Sequence, residues 1–267
     1  MELCAKGFAT WEPHFNAAAV VRTLLALSSN SSSSPVQVKS AQRALVQIGT
    51  VNTLLFVTTI TYDLVHSKSA AEKTAILKVI SYFIYKVSAS IEFRLTALLP
   101  FVHDVVYYKL SQTWFCCPCP ALYPLLPKIV EGGVKALDPN VHQMRQAILK
   151  TATATLHDLV KFYPPVAFHG GAQRLAVGTM EGATVLYDLR TATRWHVIEG
   201  HVKPVTAVAF SPDGRNVVTC SFEEGTLKTW HPTAGLLGMI TGSMNSNAAS
   251  TKPIKTLPIK VEGDEFC

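Results

Sequence analysis

Three cysteines crowd into Cys116-Cys117-Pro118-Cys119, and thiolates that close together can share a zinc ion. A structural zinc site pairs one such knuckle with a second. No second Cys or His pair follows at a suitable spacing, and His103 and His142 stand alone. The segment therefore reads as a loop with free thiols, or as one that does not belong to the fold. His103-Asp104 and His157-Asp158 each set a base beside an acid, but neighbours on a helix point about 100° apart and cannot form the arm of a triad. Both pairs read as solvated or capping residues. There is no Gly-rich phosphate loop, no Gly-x-Ser-x-Gly elbow and no His-Glu-x-x-His. The sequence predicts no catalysis, no metal and no cofactor.

Composition agrees with a buried core: 267 residues, 48% hydrophobic and 16% charged, net charge +6. Residues 1–163 hold 15 basic and 9 acidic side chains, and residues 164–267 hold nine of each. The basic residues stand singly, as in Lys68, Lys73, Lys78, Lys86 and Arg94, which fits solvated helix faces rather than a nucleic-acid footprint. Tyr82, Phe83, Tyr85 and Lys86 have the composition of a stacking platform, yet Phe83 lies on an apolar stripe and packs. No nucleic acid is expected. The hydrophobic runs Val46–Val65 and Ala75–Val106 are broken by charges and amides, and the N-terminus lacks the apolar run of a secretory signal. The expected compartment is the cytoplasm, where six cysteines would stay reduced.

From Phe15 to about Phe162 apolar residues recur at helical spacing. Val141, Met144, Ile148, Ala152, Leu156 and Leu159 mark one stripe, with Asp138-Pro139 as its expected N-terminal cap. Ser69-Ala70-Ala71-Glu72 is a capping box before Ile76, Ile80, Phe83, Ile84 and Val87. Residues 36–48, 50–66 and 91–110 give further segments, residues 28–35 a Ser-rich flexible loop, and residues 111–127 an irregular Cys/Pro-rich stretch. Residues 1–163 are expected to form a HEAT-like or armadillo-like α-helical solenoid, with a plain bundle as the alternative.

At residue 164 the period changes to short alternating runs parted by Gly and turn residues. Val166–Phe168, Arg174–Val177 and Ala183–Tyr187 return as Val205–Phe210, Asn216–Cys220 and Thr226–Trp230. Phe168 to Phe210 spans 42 residues and Tyr187 to Trp230 spans 43. That period is the length of one propeller blade. Gly200-His201 opens the second unit, Ser211-Pro212-Asp213-Gly214 supplies a tight turn, Trp230 ends its third strand, and Tyr187-Asp188 is a relaxed Trp-Asp pair. These residues resemble the WD repeat. In that family a His, a Ser or Thr, an Asp and a Trp form a buried hydrogen-bonded lock, which the resemblance maps onto His201, Ser221 and Trp230. The Asp position holds Glu224, and in the first unit Glu181, so the resemblance leaves the carboxylate bond open. Residues 164–240 are thus expected to be two WD40 blades of an incomplete β-propeller, and residues 241–267 a flexible tail with one strand over 252–261 that could pair with the first unit.

The order of parts, a helical region feeding two WD units that carry Tyr187-Asp188-Leu189-Arg190-Thr191, resembles the C-terminal end of the rabconnectin-3 β-subunit family. The resemblance implies a cytosolic scaffold, peripheral on endosomal or vesicle membranes only through partners. Those partners would be a larger WD-repeat α subunit and the peripheral subunits of the vacuolar-type proton pump, with a role in assembly and vesicle acidification. A generic WD40 interaction module of a coat or ubiquitin-ligase receptor is the alternative. Two blades cannot close a ring, so the chain is expected to be the end of a longer polypeptide.

Overall fold

The computed structural model describes residues 5–29, 33–96, 120–232 and 252–259. They form two compact units, Met1–Phe162 and Tyr163–Cys267.

The first unit is helical: α1 (Phe8–Trp11), a short 3-10 turn (Glu12–His14), α2 (Ala17–Ser29), α3 (Pro35–Val51), α4 (Thr53–His66), α5 (Ala70–Thr96), a 3-10 turn (Pro120–Leu125), α6 (Leu126–Ala136) and α7 (His142–Phe162). Each of α2 to α5 touches the other three, while α6 packs on α4 and α7 on α5. Gly49 shows why α3 and α4 approach so closely. A Cβ there would lie 2.7 Å from Phe83 and 2.9 Å from Phe56, whose rings pack with centroids 4.9 Å apart. Ile76, Ile80, Phe83, Ile84 and Val87 are buried as their spacing predicts. Among the described residues no helix is long and apolar enough to cross a membrane.

Several local expectations change. The stripe of α7 is buried only from Ile148 onward, and Val141 is half exposed. Its helix starts at His142 because Asp138 accepts from the Asn140 amide at 2.9 Å, forming a turn of its own instead of a cap. Ser69 accepts from Glu72 N at a long 3.5 Å, and the Glu72 carboxylate bonds Ser67 Oγ at 2.6 Å, so the predicted box is only half made. A complete box stands instead at Ser34 and Gln37, at the end of the stretch read as loop, and Pro35 opens the helix. Residues 91–96 continue α5 rather than starting a helix. Asp158 accepts from Ser81 Oγ and ties α7 to α5, so it is neither solvated nor a cap. His103, Cys116, Cys117 and Cys119 lie outside the described residues. Among the described ones no three His, Cys, Asp or Glu residues cluster to hold a metal.

The second unit holds two four-stranded antiparallel sheets. Sheet 1 runs β1 (Val166–His169), β2 (Arg174–Gly178), β3 (Ala183–Asp188), β4 (Thr193–Glu199), each paired with the next. Sheet 2 runs β5 (Ala207–Phe210), β6 (Val217–Ser221), β7 (Thr226–Trp230), β8 (Lys255–Pro258) in the same order. The tail strand therefore joins β7 of sheet 2, with Leu227 opposite Leu257, and not the first WD unit, which is sheet 1. Between the sheets lies one apolar core of Ala176, Leu186, Ile198, Val205, Val208, Val217 and Trp230. Backbone bonds from Val205 N to Thr179 O (3.0 Å) and Val208 N to Pro164 O (3.0 Å) fix the seating.

Candidate functional site

Gly200 and His201 lie between β4 and β5, where the chain leaves sheet 1 for sheet 2. A Cβ on Gly200 would stand 2.4 Å from the Trp230 ring, so only glycine lets the indole reach inward. His201 is buried, with Nε2 2.8 Å from Thr219 Oγ1. Trp230 Nε1 donates to the same oxygen at 2.8 Å, and His201 Nδ1 bonds the Glu224 carboxylate.

The proton order follows from what each group can do. The indole N–H only donates, so Thr219 accepts it and turns its own hydroxyl to Nε2, which leaves the hydrogen on Nδ1 to face Glu224. Glu224 also accepts from Val202 N at 3.3 Å and lies 3.5 Å from Lys228 Nζ, which donates to Gly200 O at 2.6 Å. Burial pushes the His201 ring below the usual imidazole range, Glu224 pulls the other way, and Lys228 adds to the lowering. Burial would raise the Glu224 carboxyl, but bonds from His201 and the Val202 amide, with Lys228 beside them, hold it below the usual carboxylate range. Every polar atom of the ring is engaged. The set ties the segment that enters β5 to β6 and β7 and has no free base with which to do chemistry.

Of the residues predicted for this lock, Gly200, His201 and Trp230 meet. Ser221 does not: it is fully buried, and its hydroxyl has no bonded partner among the described residues. Thr219, two residues earlier on the same face of β6, takes its place. Both hydroxyls lie in the string Val217-Val218-Thr219-Cys220-Ser221, and only the register decides between them. Thr219 pairs with Lys228 and so lies beside Trp230, whereas Ser221 pairs with Thr226 at the far end. Glu224, one methylene longer than Asp, does reach His201. Lys228 joins the set as well, and its place two residues before Trp230 puts it on the same face of β7.

The remaining predicted residues sit elsewhere. Asp213 and Gly214 build the β5–β6 turn: Asp213 accepts from Ser211 Oγ (2.5 Å) and Arg215 N (3.0 Å), and Gly214 takes a left-handed φ of +67°. Tyr187 is buried at the end of β3, and Asp188 accepts from Arg190 N (2.9 Å) and pairs with its guanidinium (2.7 Å). That hydrogen-bonded guanidinium, against the effect of burial, holds the Asp188 carboxyl below its usual range. A second bridge crosses between the sheets, where His169 Nε2 donates to Pro212 O at 3.0 Å and Arg174 lies 3.6 Å over the Trp195 ring while donating to Gly214 O at 3.4 Å.

A blade-like four-stranded sheet packed on a second one of the same strand order is the geometry of a propeller, and comparison with known proteins agrees. The β-propeller family described as nucleolar protein 10-like, N-terminal domain, matches residues 113–257, more than half of the chain. The chain belongs to that family. Within the matched span the described residues before Tyr163 form the 3-10 turn Pro120–Leu125, α6 and α7, and those after it form the two sheets. Among curated relatives, the chain is similar to the COMPASS component SWD1 of Saccharomyces cerevisiae, 38% identical over 21% of this chain and 14% of that one. It is similar to the WD repeat-containing protein SL1-17 of Schistosoma mansoni, 38% identical over 23% of this chain and 20% of that one. A third is the serine-threonine kinase receptor-associated protein of Gallus gallus, 30% identical over 39% of this chain and 32% of that one. The matches thus span a third or less of each relative's length. Over those spans the chain is similar to a WD repeat-containing protein and to components of larger assemblies.

Proposed function

We propose that the chain is a non-enzymatic scaffold of the rabconnectin-3 β-subunit kind, acting in the cytoplasm on assembly of the vacuolar-type proton pump and reaching vesicle membranes through its partners. One observation carries the reading: a helical unit ends at Phe162 and, across Pro164-Pro165, opens directly into two WD-type sheets in which the Tyr187-Asp188-Leu189-Arg190-Thr191 turn joins β3 to β4. In that reading the helices are the last part of a solenoid, with the α4–α6 and α5–α7 stacking as its continuing direction, and the sheets are part of a larger propeller. The relatives named as a COMPASS component and a receptor-associated protein support membership of a protein complex without choosing which one. A sheet-locking histidine with both ring nitrogens engaged supports a non-enzymatic role.

The test is affinity capture of the full chain from cells, read by mass spectrometry. Recovery of proton-pump peripheral subunits with a larger WD-repeat partner is the expected outcome. Recovery of cullin-ligase adaptors, coat subunits or nucleolar particles in their place would overturn it.

A further inference from the structure

Six cations that stand apart in the sequence stand on one face of the helical unit. On α5, one flank meets α3, where Gly49 lies against the Phe83 ring. Its other flank meets α7, where Asp158 accepts from Ser81 Oγ and Thr155 Oγ1 donates to Leu77 O at 3.2 Å. Each of the three helices turns its buried stripe toward α2, α4 and α6, as with Leu45 and Ile48, Ile80 and Phe83, and Leu156 and Leu159. At 3.6 residues per turn the opposite stripe then points away from that layer. It carries Lys39 and Arg43 on α3, Lys78 and Lys86 on α5, and Lys150 and Lys161 on α7, all exposed. With neighbouring helices about 8–10 Å apart and a rise of about 1.5 Å per residue, the six fall within a patch of about 20 Å by 20 Å.

No carboxylate answers these cations. Among the described side chains of α3, α5 and α7 only Glu72 and Asp158 are acidic, and both are engaged off this stripe, Glu72 with Ser67 Oγ at 2.6 Å and Asp158 with Ser81. On α2, α4 and α6 the cations are matched. Arg22 pairs with Asp63 at 2.9 Å, Lys135 with Glu131 at 2.8 Å, and Lys128 donates to Thr58 Oγ1 at 3.3 Å. The stretches of this unit outside the described residues do not restore the balance, since residues 97–119 hold one Asp and one Lys and residues 1–4 one Glu. A surface that is merely solvated mixes both signs. Like charges within a Debye length, about 10 Å, repel, so gathering them on one side while pairing the rest elsewhere builds a field of one sign.

We propose that the outward face of α3, α5 and α7 docks an acidic segment of a partner protein. The neutral groups between the cations choose among anions. Gln143 and Gln146 on α7 and Thr50 on α3 are exposed in the same stripes, and each both donates and accepts hydrogen bonds. A peptide backbone answers both roles, whereas phosphate oxygens only accept. A nucleic acid also calls for free aromatic rings on which bases stack, and the Tyr82 ring already lies under Lys86 Nζ, 5.7 Å from its centroid. A membrane surface calls for Trp, Phe or Leu protruding among the cations, and these stripes hold none; exposed Ala71, Ala147 and Ala154 stand there instead. The inference rests on the scaffold reading in taking a protein as partner, and it does not depend on the proton pump.

The test titrates the purified full chain with a fluorescein-labelled peptide of alternating Glu and Ser, about a dozen residues long, against a Gln-Ser peptide as control. The acidic peptide should bind, and more weakly as salt rises. Lys78→Glu, Lys86→Glu and Lys150→Glu together should weaken it about tenfold or more. Lys203→Glu, Arg215→Glu and Lys255→Glu, exposed in the sheets and equal in charge change, should leave it within about twofold. Circular dichroism verifies that each variant folds; if the first does not, the same three lysines changed to Gln should still weaken binding about threefold or more. A photo-crosslinker at Tyr85, exposed on this face, then names the occupant in cells, with adducts expected in Asp/Glu-rich segments of another protein. Four results overturn the proposal: equal loss from both triple reversals, a flat salt response, tighter binding of oligouridylate or phosphatidylserine vesicles than of the peptide, or Tyr85 adducts on nucleic acid, lipid or this chain's own Glu262–Glu265. Pump subunits are scored separately by capture with the unaltered chain, so loss of one result with the other retained tells which reading fails.

Discussion

Sheets 1 and 2 share a frame and differ in what locks it. Both run four antiparallel strands in chain order, and both turn at a left-handed glycine after the second strand. At the position where sheet 2 buries Thr219, sheet 1 buries Val177, and where sheet 2 ends its third strand in Trp230, sheet 1 ends in Tyr187. Glu181, in the hairpin whose counterpart holds Glu224, is exposed. Sheet 2 is therefore held by a polar chain of four side chains within a low-dielectric interior, sheet 1 by apolar packing. Polar networks specify one register strongly when every member is satisfied and become costly when one member is lost, whereas apolar contacts degrade gradually. The comparison can be broken at three places, and hydrogen exchange on the full chain reads each sheet separately.

The largest effect belongs to the hairpin glycines. Gly182→Ala sets a Cβ 2.0 Å from the His201 carbonyl in a backbone region that costs about 1–2 kcal/mol for any side chain, and the obstacle is main chain that cannot rotate away. A loss of about 4 kcal/mol or more is expected, with faster exchange in β2, β3 and β5 together. Gly225→Ala meets the same φ region, but among the described residues its Cβ makes only an ordinary contact, 3.8 Å from Ile259 O, so about 1–2 kcal/mol should be lost and exchange should rise locally. Equal effects at the two positions would show that the sheets do not use their hairpins differently.

Thr219→Val comes next. It preserves shape while leaving the Trp230 N–H without its acceptor and His201 Nε2 without its donor, and about 1–3 kcal/mol per buried orphan gives about 2–6 kcal/mol in all. The reverse change in sheet 1, Val177→Thr, adds a hydroxyl to a fully buried apolar site at about 1–3 kcal/mol. Exchange should rise in β6 and β7 for the first and in β2 and β3 for the second. A neutral Thr219→Val would remove the polar lock as an account of sheet 2.

These variants also show what was readable from residue order. Period, turn chemistry and the Gly-His opening are local, and they gave both sheets, the Ser211–Gly214 turn and the positions of His201 and Trp230. Choosing Thr219 over Ser221 needed the cross-strand register, which sets Thr219 beside Trp230 and Ser221 at the strand end. Whether Glu224 reaches His201 depends on how the β6–β7 turn folds, which residue order does not state. The tail strand was recognisable by alternation, but nothing in Lys255–Pro258 names its neighbour, and its place beside β7 is decided by pairing distant in sequence. Among the helices the same division holds. Ile76 to Val87 follow from spacing alone, while the cap expected at Asp138 lost to a local turn made by the same carboxylate.

The smallest effect is graded with pH. His201 in sheet 2 and His196 in sheet 1 are both lowered by burial from an ordinary value of 6.5. Between the folded value and 6.5 the unfolded chain binds a proton that the folded chain does not. Each ring's contribution is then fully present above 6.5 and is lost as pH falls below it, by no more than about 1.4 kcal/mol per pH unit per proton. Glu224 and Asp188, both held below their usual range, add losses of the same sign only at pH below the ordinary values of 4.5 and 3.8. From pH 7 toward pH 5 exchange should thus quicken in both sheets for different reasons. In sheet 2 a proton on Nε2 also breaks the bond that Thr219 donates, so β6 and β7 should open together; in sheet 1 a charged His196 should loosen β4 alone. His201→Gln should flatten the pH response of β6 and β7 and leave that of β4 intact, and His196→Gln should do the converse. If one substitution flattens both, the two sheets open as a single cooperative unit, and the separate locks do not set their stability.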